Sequence, residues 1–486
     1  MTERITSDVF VVGSGPCGAV FARELVPRGR RVVVVDAGPS FSARPGWNLK
    51  NAHVYRKHPE LFAALVQGLL HPLSAAAGEA APPLVNPRQP VEGSLTGAAT
   101  GYAVGGMAIH WTGVIPRQHP TMERSPLLSD AEWDTLYGDA EACLTKTDGL
   151  FEGSARHRAI RERLAEHYAG RLEPGREVGT LPMAIAEDAT GALVVAGSDT
   201  VLAPLLMPDG GFVDGLELRD QHAVTRLHIE GGRVRHAEGV NLATGEPFIA
   251  EADHFVLAAG TVLSAQLLHA SGHRLAANGR YLIEHPIAFG QVHLDPELVE
   301  AVTPIAEDDR GPNVWIPVGE GRPWHVQVTK DVVHFSEVPA DLDDRLVTDL
   351  RWYTLIEPRE HQRVSFEDDL PDALGLPRPT FAYRLDDDMN TRIAAMMEDQ
   401  AEAGAALGDW VTEPRMLDPG ICLHLQGATR MGEDDRTSVV DTHGRVWGLD
   451  NLQIAGNGVI PSGNACNPTL TSVALALRAA RHLRRS

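Results

Sequence analysis

Gly13-Ser14-Gly15-Pro16-Cys17-Gly18 fits the spacing G-x-G-x-x-G, and an acid, Asp36, stands 18 residues beyond the last glycine. That combination can hold a dinucleotide. Gly13 permits a tight turn, Gly15 lets a pyrophosphate approach the backbone, and Gly18 lets a helix pack close to a strand. The N–H groups that open the helix face the phosphates, and an acid at the position of Asp36 can bind ribose hydroxyls. A tight strand-to-helix turn with no ligand would use the same glycines.

The flanking residues decide between these readings. Residues 8–12 (DVFVV) and 31–35 (RVVVV) are short apolar runs of buried-strand type, and residues 16–28 between them have a helical pattern. This is a β-α-β unit, which implies a parallel sheet covered by helices. Residues 61–70 read as a helix, and the Ala/Gly/Pro run at 75–90 as a mobile loop. Residues 118–200 read as mixed helix and loop. Strands separated by turns fill 223–260. Alternation at 313–366 (HVQVT, DLRWYTL) predicts a second, antiparallel sheet, followed by a helix over 390–407. The last 65 residues return to a strand (NLQIA), a loop and a final helix over 468–483.

A chain of 486 residues is too long for one compact core. The expected class is therefore α/β, with a discontinuous Rossmann-like domain at 1–117, 201–290 and 415–486. A second, α+β domain carrying the antiparallel sheet takes 118–200 and 291–414. The formal net charge of -22 repels phosphate backbones and anionic lipid, which argues against nucleic acid and membranes as partners. Cys17, Cys143, Cys422 and Cys466 form neither a C-x-x-C pair nor a zinc-like spacing with histidine, so no metal is expected. A polar N-terminus without a secretory pattern and scattered cysteines point to a reducing, cytoplasmic setting.

Later segments favour FAD over NAD. Residues 254–260 (HFVLAAG), ending in Gly260 and followed by a helix, have the form of the strand that closes many flavoprotein sites. Residues 451–458 (NLQIAGNG) resemble the flavoprotein segment that passes near the ribityl chain, so Asn457 is expected there, and Val224, in the strand AVTRLHI, is expected to be a further cofactor contact.

The chain resembles the glucose–methanol–choline (GMC) oxidoreductases, and within them the pyranose oxidases and shorter bacterial glycoside 3-oxidases. The resemblance runs through VVGSGPCGAVFARELV, AVGGMAIHWTG, GRYLIEHP, PWHVQVTKD, DLRWYTLIEP, LPRPTFAYR, GICLHLQGATRMG and NGVIPSGNACNPTLTSVALALRAA. It implies that His424 and Asn467 stand side by side over the reactive edge of the flavin. There a neutral imidazole, titrating near ~6.5 if unperturbed, takes the hydroxyl proton of an alcohol as hydride leaves carbon. Asn467 would hydrogen-bond the same oxygen. Placed before Pro468, it is also a candidate helix N-cap. The resemblance further implies that Gly105, Gly106 and Met107 pass close to the isoalloxazine and that Thr112 lies near its N5.

His110 matches a histidine that many pyranose oxidases link covalently to the flavin. Those enzymes carry Ser-Thr before it, whereas this chain has Ala108-Ile109. The expectation is non-covalent FAD, with a link through His110 as the alternative. Gln327, Asp331 and Arg351 are expected near the sugar or the flavin edge, where Gln and Asp suit the reading of neutral hydroxyls. The chain has little room for the arm and head segments of the larger fungal oxidases. An open site for bulky glycosides follows, hence oxidation at C3 of a C- or O-glycoside with O2 as acceptor, giving H2O2, by a monomer or small homo-oligomer. The alternatives are a pyranose 2-oxidase acting on free glucose, a sugar dehydrogenase using a quinone-type acceptor and, more remotely, a non-catalytic FAD-fold binding protein.

Overall fold

The computed structural model describes residues 2–74, 83–307, 309–330 and 338–483. Strand β1 (Glu3–Val12) ends in four buried apolar residues, turns into helix α1 (Pro16–Leu25), and returns as strand β2 (Val32–Val35), buried throughout. A short 3-10 turn, Val26–Arg28, extends α1 to the limit read from the sequence. Gly29 stops it in the left-handed conformation at φ 79°. Helices α2 (Pro59–Leu69), α3 (Asp130–Cys143) and α4 (Ala155–His167) follow, the last two capped by the side chains of Ser129 and Ser154. Of the loop expected at 75–90, residues 75–82 lie outside the described ones.

The strand-rich segment forms β3 (Leu216–Arg219), β4 (His222–Glu230), β5 (Arg233–Asn241) and β6 (Pro247–Leu257), followed by helix α5 (Thr261–Ala270). Next come β7 (Ile287–Leu294), β8 (Asn313–Ile316), β9 (Trp324–Thr329) and β10 (Val347–Thr354). Helix α6 (Asp387–Ala405), strand β11 (Gly408–Met416), strand β12 (Leu452–Ile454) and helix α7 (Thr469–Leu483) complete the main elements.

Two sheets organise them. The first has seven strands in the order β3-β2-β1-β6-β5-β4, with β12 also paired to β6. Its β1, β2, β3, β6 and β12 run parallel, and β5 and β4 add an antiparallel flank. This is the α/β, Rossmann-like architecture expected; β2 is apolar throughout and β1 and β6 end in buried apolar runs, as strands at the centre of a covered parallel sheet do. Register decides where a ligand can sit. Val12 pairs with Val35 on one side and Leu257 on the other, and Leu257 pairs with Ile454. The carboxyl ends of four parallel strands therefore stop at one level, and the loops leaving them share one crevice.

The second sheet has six strands in the order β11-β7-β10-β9-β8, closed by the two residues Gly179–Thr180, and all its pairings are antiparallel. Helix α6 packs against it through buried polar contacts as well as apolar ones. Asp399 accepts hydrogen bonds from the indoles of Trp324 and Trp352, each at 2.7 Å, and the Gln400 amide donates to the carbonyls of Ala288 and Leu350. Fully burying a side chain such as Trp352 contributes on the order of 2–3 kcal/mol, and both indole N–H groups keep partners, so no desolvation penalty offsets it. The domain borders drawn at 290/291 and 414/415 fall inside β7 and β11. A hydrogen-bonded strand cannot be divided between two sheets, so the discontinuous assignment stands as a proposal with those borders moved. No helix among the described residues is long and apolar enough to cross a membrane.

Candidate active site

The shared crevice opens into a cavity of about 660 Å³. The three motif glycines differ in what they face. Gly13 has φ 104°, and a Cβ there would lie 2.4 Å from the carbonyl oxygen of Ala258; on Gly18 it would lie 2.0 Å from that of Gly13. Both are forced by packing. A Cβ on Gly15 would meet nothing nearer than 3.8 Å, and one on Gly260 or Gly456 nothing within 4 Å. All three of these line the cavity, so their missing side chains leave room for a ligand rather than for protein. Gly15 is also the N-cap of α1 and makes no side-chain cap, which leaves the helix N–H groups directed at the cavity.

Ser14 was not singled out in the sequence, yet it ties two loops together. Its hydroxyl donates to Asp36 Oδ2 at 2.6 Å and accepts from the Gly105 N–H at 2.8 Å. Asp36 also accepts from the N–H groups of Ser14 and Gly38, at 3.0 and 2.9 Å. Burial raises its carboxyl above the usual range, against the pull of those bonds. Gly105, at φ 99°, cannot carry a side chain because a Cβ would sit 2.6 Å from Ile109 and 2.7 Å from Gly46.

Of the cofactor residues named from the sequence, Gly13, Gly15, Asp36, Gly106, Met107, His110, Thr112, Val224, Gly260 and Asn457 all line the cavity. Gly18 and Gly105 shape it from behind. His110 is half-buried, its buried Nε2 has no hydrogen-bond partner, and desolvation together with the Lys50 ammonium lowers its titration to about 4. Open glycine positions, a helix N-terminus, a buried acid and a neutral imidazole with an unpartnered Nε2 fit a flavin dinucleotide.

The other wall brings together residues far apart in the chain. His424 lies in the irregular segment between β11 and β12, after Leu423, which holds the left-handed conformation at φ 59°. Such strain in a branched residue persists only where the surroundings enforce it. His424 Nε2 is 3.0 Å from Asn467 Nδ2, just before α7. Asn467 Oδ1 in turn accepts from Gln327 Nε2 of β9 at 2.7 Å. The expected pair is thus in contact, and Asn467 turns its amide towards Gln327 and His424. Gln327 was expected to read sugar hydroxyls. It lines the cavity, but its amide nitrogen is engaged by Asn467 and lies 2.8 Å from His325 Nε2. Arg351 lines the same wall from β10 and is paired with buried Asp349 at 2.9 Å. Asp331 lies outside the described residues.

Burial corrects one expectation about chemistry. His424 was expected to titrate as an ordinary imidazole, and removal from water lowers it to about 4. It is therefore neutral across the physiological range and a weaker base than its residue type suggests. Around it stand groups the sequence reading had not assigned. His285 Nδ1 is 3.1 Å from His424 Nδ1, and Glu284 Oε1 accepts the His424 main-chain N–H at 3.3 Å. The indole of Trp315 donates to His325 Nδ1 at 2.8 Å. Buried Glu123 accepts from the N–H groups of Ala465, Cys466 and His119, at 2.7, 3.3 and 2.6 Å, and so fixes the turn that presents Asn467. The signal in the sequence for Glu284, His285 and His325 was membership of the segments GRYLIEHP and PWHVQVTKD; Trp315 and Glu123 lay in neither.

A GMC oxidoreductase family profile matches residues 358–476, and an NAD(P)-binding Rossmann-like domain profile matches residues 11–64. The chain is 32% identical to a pyranose 2-oxidase of Lyophyllum shimeji, over 98% of this chain and 91% of that protein. It is 33% identical to a C-glycoside 3-oxidase of Microbacterium trichothecenolyticum, over 98% and 96%. Among solved structures, a pyridoxine 4-oxidase from Mesorbium loti superposes with a TM-score of 0.70 over 99% of both chains at 20% identity, a likeness of fold.

Proposed function

Because the chain belongs to the GMC oxidoreductase family and is a flavin-dependent oxidoreductase acting on CH–OH groups, we propose that it oxidises a secondary hydroxyl of a pyranose. The favoured position is C3 of a C- or O-glycoside, giving a 3-keto glycoside, with O2 as acceptor and H2O2 as product. FAD, when bound, supplies the hydride acceptor. The observation that carries the reading is the contact of His424 with Asn467 on the wall facing the glycine-lined crevice. One residue can take a proton, and its neighbour can only hold an oxygen in place.

The derivation uses this chain's own groups. The substrate hydroxyl is directed at His424 Nε2, the nitrogen on the Asn467 side. A neutral imidazole there accepts the O–H proton, so negative charge builds on oxygen as the carbinol C–H weakens. Asn467, held by Gln327, fixes the oxygen's position. The surrounding burial excludes water, which would compete for both the proton and the hydride.

We propose non-covalent FAD, since the hydroxyl residues that precede the linking histidine in many pyranose oxidases are replaced by Ala108-Ile109. One observation favours the covalent alternative, the buried and partnerless Nε2 of His110 in the cavity wall. Acid precipitation decides: colour left in the supernatant supports the first, colour on the pellet the second. The substrate is tested by anaerobic mixing with glucose and with plant C- and O-glycosides, following flavin absorbance and identifying the keto product. Bleaching by glycosides with a 3-keto product supports the reading. A 2-keto product from free glucose indicates the pyranose 2-oxidase alternative. Bleaching by no sugar overturns the substrate class.

A further inference from the structure

We infer that His285 is a positioning residue that fixes which nitrogen of His424 carries the ring proton. This rests on His424 being the base proposed above. The two rings meet edge to face, with centroids 5.2 Å apart and the Nδ1 atoms 3.1 Å apart. A neutral imidazole has one N–H and one lone pair, so between two facing nitrogens one must donate and the other accept. His424 can take a proton at Nε2, beside Asn467, only if its own proton resides on Nδ1. His285 Nδ1 must then be the acceptor.

The assignment agrees with Asn467, whose Oδ1 is taken by Gln327, so that its Nδ2 can only donate to the lone pair of His424 Nε2. With the lone pair of His285 on Nδ1, its proton is on Nε2, and its ring is hydrogen-bonded to the backbone carbonyl of Asn464. The Gln426 amide nitrogen, turned towards His285 because Asn464 donates from its side chain to Gln426 Oε1 at 3.0 Å, lies 3.2 Å from Nε2 and competes there as a second donor. His285 is 1% exposed, so water cannot take over the accepting role. It also begins the approach to β7, in the second sheet, whereas His424 lies in the irregular segment that leads to β12.

When His424 gains the substrate proton, the new imidazolium must be stabilised in place. Burial raises the carboxyl of Glu284 and the thiol of Cys422 well above their usual ranges and lowers the imidazole of His325 well below, which disfavours the charged form of each. Arg351 is already paired with Asp349. The lone pair of His285, aligned on the Nδ1–H bond, is the group placed to hold that charge.

The test compares His285→Leu, which removes the acceptor, with His285→Asn, whose side-chain oxygen reaches the place of Nδ1. The variants are prepared as flavin-loaded protein. Loss of tautomer control is expected to lower the limiting rate of flavin reduction by sugar ~10²-fold in His285→Leu, with little change in half-saturation. Its acid limb should move to lower pH, because the imidazolium has lost its partner. His285→Asn is expected to recover most of the rate. Equal impairment of the two variants, or an unmoved acid limb in His285→Leu, overturns the inference.

A readout independent of turnover is long-range 1H–15N correlation on histidine-labelled protein, with the His424 signals assigned by their loss in His424→Ala. The expected result is a proton on Nδ1 in the parent and a shift towards Nε2 in His285→Leu. A proton on Nε2 in the parent, or no difference between the two, overturns it. Should His285→Leu give no folded protein, His285→Phe, closer in ring volume, carries the same comparison. If no sugar reduces the flavin but the tautomer shifts as expected, the substrate reading fails and the positioning role stands.

Discussion

The depressed titration of His424 makes a quantitative prediction about pH. An ordinary imidazole at pH 6.5 is about half protonated, whereas one titrating at about 4 is protonated in roughly one molecule in 300. The displacement corresponds to on the order of 3 kcal/mol against the charged form, with desolvation as its cause. The sign follows directly. The neutral ring is the active base, so activity is lost as pH falls through its titration point, and lowering that point widens the active range on the acid side. Flavin in the cavity removes more water from the same wall and works in the same direction. The assay is anaerobic stopped-flow reduction of the flavin at saturating sugar, with pH jumps from neutral stock to keep the fold intact. The limiting rate should stay level between pH 8 and about 5.5, and approach a tenfold loss per pH unit only below about 4. An acid limb centred at 6 to 7 would refute the reasoning, because His424 would then behave as a solvated imidazole.

Replacing the base itself should be more drastic: His424→Ala is expected to slow flavin reduction ~10²–10⁴-fold, and a loss below about tenfold would remove His424 from that role. The buried histidines also make the apoprotein acid-sensitive. His424 and His110 titrate at about 4 when folded, and His285 and His325 are held well below their ordinary value, so all four must bind protons on unfolding. Stability from these groups is complete above about pH 6.5 and falls below it, by about 1.4 kcal/mol for each at pH 5.5. Buried Glu284, raised well above its usual range, works in the opposite sense, so the histidine share is read by comparison: melting temperature should fall more steeply from pH 7.5 to 5 in the parent than in His325→Phe, and equal slopes would count against burial of that ring as neutral. The glycine motif separates folding from binding. Gly15→Val places its branches in the open cavity and should leave the apoprotein's melting temperature nearly unchanged while abolishing yellow colour. Gly18→Ala drives a Cβ into the Gly13 carbonyl and should lower the melting temperature itself. Equal effects of the two on stability would contradict the separation.

Much of the first sheet was legible because its information is local. Two valine-rich runs around a glycine turn specify a buried β-α-β unit without reference to the rest of the chain. The alternation in β9 and β10 likewise announced a second sheet. The limit of α1 needed only Gly29. The site was legible in part, through segments whose resemblance to a family marked His424 and Asn467. What those segments left silent were Ser14, which ties the two glycine loops together, and the residues around the pair: Glu123, His285, Glu284 and His325. They act through contacts made only in the folded chain, and a lone Glu or His has no periodicity or spacing to betray it.

By itself, then, the order of residues determined the strand runs, the glycine turn and the residue types available for proton transfer, since these depend on neighbours within a few positions. Tertiary structure alone decided that Gln327 is engaged by Asn467, that Asp36 accepts from Ser14 and Gly38, and that His285 faces His424. It also decided how basic His424 is. An imidazole's affinity for a proton is set by the water it has lost and the charges around it, and both are properties of a packed interior assembled from residues hundreds of positions apart.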